Sequence, residues 1–326
     1  MADRPDRNLA LELVRVTESA AIAAARWQGR GDKHAVDQAA VDAMRKMLAT
    51  VDMDGIVVIG EGEKDEAPML YNGERVGNGT PPVVDVAVDP VDGTRLTARG
   101  MPGALAVLAV AERGSMYAPG SLVYMDKIAV GEAAAGRIDI EAPVAHNLAQ
   151  VAKAKGKDVS EVTAVILDRP RNEPYVRAVR EAGARIALIG DGDISGVIST
   201  AKEDSGIDIL FGIGGSPEAV TAACAMVALR GELQCKLWPR DESERAFALD
   251  HGLDLDQVLT MSDLVGTTNT FFAATGVTSG ALLTGVRFGG ARVRTHSVVM
   301  RGSSGTIRFV ESIHRDDWLH EVGAID

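Results

Sequence analysis

Two cysteines in 326 residues, Cys224 and Cys235, are too few for a disulfide framework. The chain therefore reads as a protein of a reducing compartment that is held together by packing. Aromatic residues make up only 4%, which leaves the core to Ala, Val, Leu and Ile. No apolar run is long enough to span a bilayer. Met1 to Asn8 is charged and lacks the apolar centre of a signal peptide, so the expected location is cytoplasmic. A basic excess is also lacking. The formal net charge of −12 argues against nucleic acid or an anionic membrane as the main partner. A small anionic substrate stays open, because cations and arginines gathered at one site override the field of the whole chain. Internal repeats, low-complexity tracts and long linkers are missing as well.

Hydrophobic residues at 46% and charged residues at 25% are ordinary for a globular protein with a sizeable core. The composition and rhythm suggest two halves, 1–160 and 161–326. Leu9 to Trp27 has a helical period and is rich in alanine. After Gly29-Arg30-Gly31-Asp32-Lys33, a second amphipathic helix is expected over Asp37–Leu48, with Asp37 in its first turn, where a macrodipole partner is a sufficient account.

Acids then emerge twice from strand ends. Gly55–Gly60 reads as a buried strand running into Glu61-Gly62-Glu63-Lys64-Asp65-Glu66. Val84–Val88 reads as another, expected to stop at Pro90, which has no N–H for a ladder. It leads into Asp89-Pro90-Val91-Asp92-Gly93-Thr94, where Asp-Gly is turn chemistry and Thr94 suits a helix cap. Solvated acids around a turn would account for each cluster alone. Their recurrence at two strand ends, with Asp37, makes a set suited to hard divalent cations. Gly103–Val110 and Tyr124–Val130 follow as expected neighbouring strands, with Tyr124 open to a core role. Beyond residue 147, helices alternate with strands, which argues an α/β layer with ligand sites beyond the strand C-termini. Three such ends stand out: Asp168-Arg169-Pro170-Arg171, Asp191-Gly192-Asp193, and Gly212-Ile213-Gly214-Gly215-Ser216-Pro217-Glu218. Pro217 breaks the last as a dinucleotide fingerprint. It reads instead as Ser216 cap, Pro217 in the first turn and Glu218 beside it, on a glycine turn that lets phosphate approach the backbone. Arg169 and Arg171 offer fork geometry for phosphate oxygens, with surface charge as the plainer account. A helix is expected over Gln257–Val265, and a hairpin over Val293–Arg301 and Thr306–Ile313. His296 and His314, without ligand spacing, read as packed histidines.

Asp89-Pro90-Val91-Asp92-Gly93-Thr94 resembles the DPxDGT signature of the lithium-sensitive sugar and inositol phosphatases. Together with Arg15–Ala21, Gly29–Lys33, Ile59–Glu63, Glu66–Leu70 and Gly212–Glu218, in that order, the chain is similar to class II fructose-1,6-bisphosphatases over nearly its whole length. The resemblance implies an α/β fold of five αβαβα layers and hydrolysis of the 1-phosphate of fructose 1,6-bisphosphate, in gluconeogenesis, with Mg²⁺ or Mn²⁺. By position it implies Asp37, Glu61, Asp89, Asp92 and Glu218 as metal ligands. Asp92, Gly93 and Thr94 fall at the phosphate. Tyr124, Arg169, Arg171, Asp191, Asp193 and Gly215 fall on substrate positions, and Lys33 and Glu63 near the centre. Thr94, backed by Glu63 or Asp89, would orient the attacking water, with no covalent phosphoenzyme. Arg95 and Asn172 depart from the pattern, the latter standing where many relatives carry His. This leaves sedoheptulose 1,7-bisphosphate or an inositol phosphate as alternative substrates. A non-catalytic sensor of sugar phosphate is a further alternative, and a homo-oligomer, dimer or tetramer, is expected.

Overall fold

The computed structural model describes residues 9–60, 70–118, 120, 122 and 124–315. The chain forms two compact units. One runs to Ser115 and resumes at Asn269, and the other is Met116–Thr268.

The first unit opens with helices α1 (Leu9–Ala25) and α2 (Lys33–Leu48). Strands β1 (Asp54–Ile59), β2 (Arg75–Val76) and β3 (Val83–Asp92), the short helix α3 (Thr94–Ala98) and strand β4 (Leu105–Glu112) follow. Alanines at positions 20, 21 and 24 of α1 are buried without exception. Their small size lets the helix lie close against α2 and against Val86, Val88, Ala106 and Leu108, alternate residues of β3 and β4. Polar side chains on this helix are buried too, and they are satisfied. Thr17 Oγ1 lies 2.7 Å from Thr275 Oγ1, which lies 2.8 Å from Ser297 Oγ. Glu18 accepts a 2.9 Å hydrogen bond from Thr295.

The second unit alternates strands and helices as its sequence indicates: β5 (Tyr124–Val130), α4 (Val144–Lys155), β6 (Thr163–Leu167), α5 (Glu173–Glu181), β7 (Arg185–Ile189), α6 (Asp193–Ala201), β8 (Ile209–Gly215), α7 (Ser216–Leu229), β9 (Glu232–Leu237), α8 (Glu242–Asp250) and α9 (Met261–Leu264). Its sheet order is β7-β6-β8-β5-β9, with β6 parallel to β7 and β8 and with β5 antiparallel to β8 and β9. Ile128, Ile166 and Phe211 on one face pack with Leu148 and Val151 of α4 and Val176 and Val179 of α5.

The chain then returns to the first unit as β10 (Phe271–Gly276), β11 (Arg287–Gly289), β12 (Arg292–Arg301) and β13 (Thr306–Arg315). That sheet runs β11-β12-β10-β4-β3-β1-β2, with β13 paired to β12. The α/β class expected from the sequence is the class of this protein, and its β12–β13 hairpin has the expected partners.

Several expectations are corrected. The division at residue 160 is displaced, because β5 pairs with β8 and β9 rather than with β4, while β4 lies between β3 and β10. Strand β3 does not stop at Pro90 but runs to Asp92. The pairing with β4 shifts register between Asp89 and Asp92, and such an irregularity accommodates a residue without an N–H. The helix expected over Gln257–Val265 shrinks to α9, because Leu259 exchanges backbone hydrogen bonds with Cys235 on β9. No helix among the described residues is long and apolar enough to cross a membrane. Both cysteines are buried and neither forms a disulfide, and burial pushes the Cys235 thiol up to about 12, which leaves it inert.

Candidate active site

In the first unit, the site residues gather where β3 ends. Gly93 takes the left-handed conformation, φ 94°, and occupies the cap position of α3 without a side-chain bond. Thr94 is therefore the first helical residue rather than the cap. Its hydroxyl lies 2.6 Å from Asp37 Oδ1 and 3.1 Å from the carbonyl of Val91. Helix α2 begins at Lys33, capped by Asp32, so Asp37 stands a full turn inside it. The macrodipole account weakens there, and the contact with Thr94 replaces it. Burial pushes the Asp37 carboxyl above its ordinary value, opposed by the Thr94 hydrogen bond and by the charges of His34 and Lys33. Asp89 folds back to accept the N–H of Val91 at 3.0 Å, and Asp92 is buried. Lys33 is exposed at the start of α2. Glu61 and Glu63 lie outside the described residues. Among the described residues, no group of three or more His, Cys, Asp or Glu side chains is drawn close enough to hold an ion.

In the second unit the positions implied by resemblance share one sheet edge. The C-terminal ends of β6, β7 and β8 deliver Arg169 and Arg171, Asp191 and Asp193, and Gly215 and Glu218, and antiparallel β5 brings Tyr124 opposite Gly215. Arg169 Nη2 lies 3.1 Å from Asp191 Oδ1. The Arg171 guanidinium lies 4.3 Å from the centre of the Tyr124 ring and donates from Nε to the carbonyl of Ile213 at 2.9 Å. Asn172 is fully buried and ties β6 to β8, donating to Leu167 and accepting from Ile213. Its departure from the family pattern is thus absorbed within the sheet.

The glycines before α7 have a different use from the one their sequence suggests. A Cβ on Gly215 would fall 1.7 Å from Glu218 Oε2, and one on Gly214 would fall 1.8 Å from Asp193 Oδ2. Side chains of this protein already fill the space that a Cβ at either position would take. Ser216 is likewise not the cap of α7; Gly215 is, and Ser216 Oγ is buried without a hydrogen-bond partner among the described residues. Glu218 keeps some exposure as a residue, yet its carboxyl is enclosed by protein. Burial and the neighbouring charge of Asp193 push it up to about 7, against the pull of Lys127.

Two residues here escaped the sequence reading. Arg240 stands 5.9 Å from the Tyr124 ring, which also meets Trp238 edge-on. Lys127 is fully buried, with its ammonium 2.6 Å from Asp193 Oδ2. The signal for Lys127 was present: a lysine at an inward step of the run Met125, Lys127, Ala129. His296 and His314 are packed as expected, bonded to the Thr284 N–H and Thr295 hydroxyl.

Acids and a hydroxyl at the end of one sheet, and arginines against an aromatic ring at the end of another, are the groups that a phosphatase, a hydrolase of phosphate esters, employs. The profile of the family described as bacterial fructose-1,6-bisphosphatase, glpX-encoded, matches residues 7–314. The chain is 46% identical over 322 residues to fructose-1,6-bisphosphatase 1 class 2 of Escherichia coli strain K12, an alignment covering 94% of this chain and 95% of that one. The class 2 fructose-1,6-bisphosphatases of Escherichia coli O6:H1 and Shigella flexneri match to the same extent. The chain belongs to the bacterial glpX-encoded fructose-1,6-bisphosphatase family.

Proposed function

We propose that this protein hydrolyses the 1-phosphate of fructose 1,6-bisphosphate, releasing fructose 6-phosphate and phosphate, with Mg²⁺ or Mn²⁺ as the activating ion. The observation that carries the reading is the Thr94–Asp37 hydrogen bond at 2.6 Å, formed beside Asp89 and the buried Asp92. Hard carboxylate oxygens are the donor set such cations prefer, and the space left beside Glu218 by a glycine fits a side chain held for a ligand. Asp37, Asp89 and Asp92, with Glu61 and Glu218, are the proposed metal-holding residues. A bound divalent ion would lower the pKa of water and neutralise the scissile phosphate.

The remaining work falls to this chain's own groups. Thr94 accepts or passes a hydrogen bond at the attacking oxygen while Asp37 fixes its hydroxyl. Glu63 and Lys33 are proposed to serve the same centre. Gly93, in the left-handed conformation that sets Thr94 at the start of α3, is proposed to lie against the phosphate through its backbone. Arg169 and Arg171 hold the distal phosphate, with the Arg171 plane steadied on Tyr124. Asp191, Asp193 and Gly215 border the sugar. Inhibition by Li⁺, a cytoplasmic site of action and a homo-oligomeric state belong to the same proposal.

The test is phosphate release from fructose 1,6-bisphosphate before and after EDTA, then with Mg²⁺ or Mn²⁺ restored, alongside sedoheptulose 1,7-bisphosphate and an inositol phosphate. Metal-dependent release that favours the fructose ester, abolished in a folded Asp89→Asn variant, is expected. Full activity in EDTA, or in Asp89→Asn, sinks the reading.

A further inference from the structure

Lys127 has no part in the chemistry set out so far, yet the second unit is built tightly around it. It lies mid-strand in β5 with 1% of its surface exposed, and its Nζ bonds Asp193 Oδ2 at 2.6 Å. A buried Lys–Asp pair need not signify function, since apolar residues often replace such pairs without loss of stability. Three observations set this one apart. The pair is not closed, because Asp193 Oδ1 is buried and has no hydrogen-bond partner among the described residues. The strand beside it was cleared for it: a Cβ on Gly214 would fall 1.8 Å from Asp193 Oδ2 and 3.0 Å from Lys127 Nζ. The carboxylate is also aimed by the backbone, since Gly192 takes the left-handed conformation, φ 85°, and sets Asp193 as the first residue of α6.

A carboxylate that is anchored by one oxygen, with the other left unsatisfied, is an acceptor made ready for a donor. We propose that Lys127 is a positioning residue of the active site: its ammonium fixes one oxygen of Asp193 so that the other is presented, already oriented, to a hydroxyl of the sugar bisphosphate. This rests on the function proposed above. Lys127 touches no substrate; it acts through Asp193, and it supplies the positive charge that allows Asp193 and Glu218 to sit close together away from water.

The experiment is a kinetic cycle on fructose 1,6-bisphosphate at saturating metal, comparing the wild type, Lys127→Met, Asp193→Asn and the double variant, with circular dichroism to confirm folding. Lys127→Met is expected to raise KM about tenfold, as loss of an oriented charged hydrogen bond does, while kcat moves by less than about threefold. In the Asp193→Asn background the same change should add less than about twofold, because its route of action is gone. An unchanged KM in Lys127→Met, or a full tenfold effect repeated on Asp193→Asn, overturns the proposal. Should Lys127→Met alone fail to fold, the comparison of Asp193→Asn with the double variant, which removes both charges together, decides it by the same criterion. A wild type without metal-dependent turnover would sink the functional reading itself, whereas normal wild-type turnover with an indifferent Lys127→Met sinks only this inference.

Discussion

Adding a single methyl group at Gly215 separates two explanations of the glycine run before α7. Gly215 has φ −63° and ψ 139°, ordinary extended geometry for any L residue, so Gly215→Ala carries no backbone penalty. All of its effect comes from contact. The new Cβ falls 1.7 Å from Glu218 Oε2, 2.3 Å from its Cδ and 2.5 Å from Oε1. Restoring van der Waals separation moves that carboxylate by roughly 1.5–2 Å. The group ends a flexible side chain, so the fold yields at a cost of about 1–3 kcal/mol. If Glu218 holds a cation as proposed, that ion would not follow so easily, because oxygen ligands to Mg²⁺ or Mn²⁺ work within a few tenths of an ångström of about 2.1 Å. The concentration of metal that gives half-maximal phosphate release should therefore rise by about 10–100-fold, judging from the cost of disturbing less direct metal contacts. Titrating Mn²⁺ or Mg²⁺ into the EDTA-treated protein measures it, with thermal melts to confirm folding. Glu218→Gln should match Gly215→Ala, and the double variant should be little worse than either. A Gly215→Ala enzyme with the wild-type metal curve would refute the reasoning and return these glycines to the phosphate-approach account.

Three further outcomes follow from contacts elsewhere. Thr94→Val removes the hydroxyl held by Asp37 and should lower kcat by about 10²–10⁴-fold with little change in Tm, as for other groups that manage protons in a transition state; a kcat within a few-fold of wild type removes Thr94 from the chemistry. Thr275→Val keeps the volume but strips the hydroxyl that links Thr17 to Ser297. Urea unfolding should register a loss of about 1–3 kcal/mol, with activity unchanged. Asp208 is buried, and although burial would raise its pKa, hydrogen bonds from Lys155 and Lys157 at 2.8 and 2.7 Å and the Thr163 N–H hold it below the ordinary value. Its contribution is thus present above pH about 4 and is lost as pH falls through the depressed folded pKa. Asp208→Asn should cost about 1–3 kcal/mol at pH 7, discounted because the lysine ends remain partly in water, and the gap from wild type should close on acidification.

Local chemistry carried much of the fold. The bounds of β5 match the expected Tyr124–Val130, and β12 and β13 fall within two residues of the expected Val293–Arg301 and Thr306–Ile313, because short runs of branched apolar residues between turns leave little choice. Partnership was another matter. Tyr124–Val130 reads as a strand from its own residues, but nothing in its period says that it joins β8 rather than β4. Strand β9 was missed although Glu232, Gln234 and Lys236 alternate with the buried Leu233, Cys235 and Leu237, the period-2 pattern of a half-buried strand. At the site, the acids after β1 and those in the last residues of β3, Asp89 and Asp92, were conspicuous in the sequence as residues at strand ends. The reason for Gly214 and Gly215 was not, because it lies in carboxylates elsewhere: Asp193, set by a different helix, and Glu218, folded back from the next turn. Burial of Thr17 and Glu18 was equally hidden, since their partners stand 258 and 277 residues away.

That last separation bears on how the protein is made. Strand β10 lies between β4 and β12 in the first sheet, yet the whole of Met116–Thr268 is synthesised before it. A chain leaving the ribosome holds β4 with one edge bare, and Thr17 and Glu18 without their hydroxyl partners, while the middle unit has every strand of its own sheet to hand. Order of synthesis and order of folding are thereby uncoupled: the segment made first is completed last, and the inserted unit is free to set before the first unit closes.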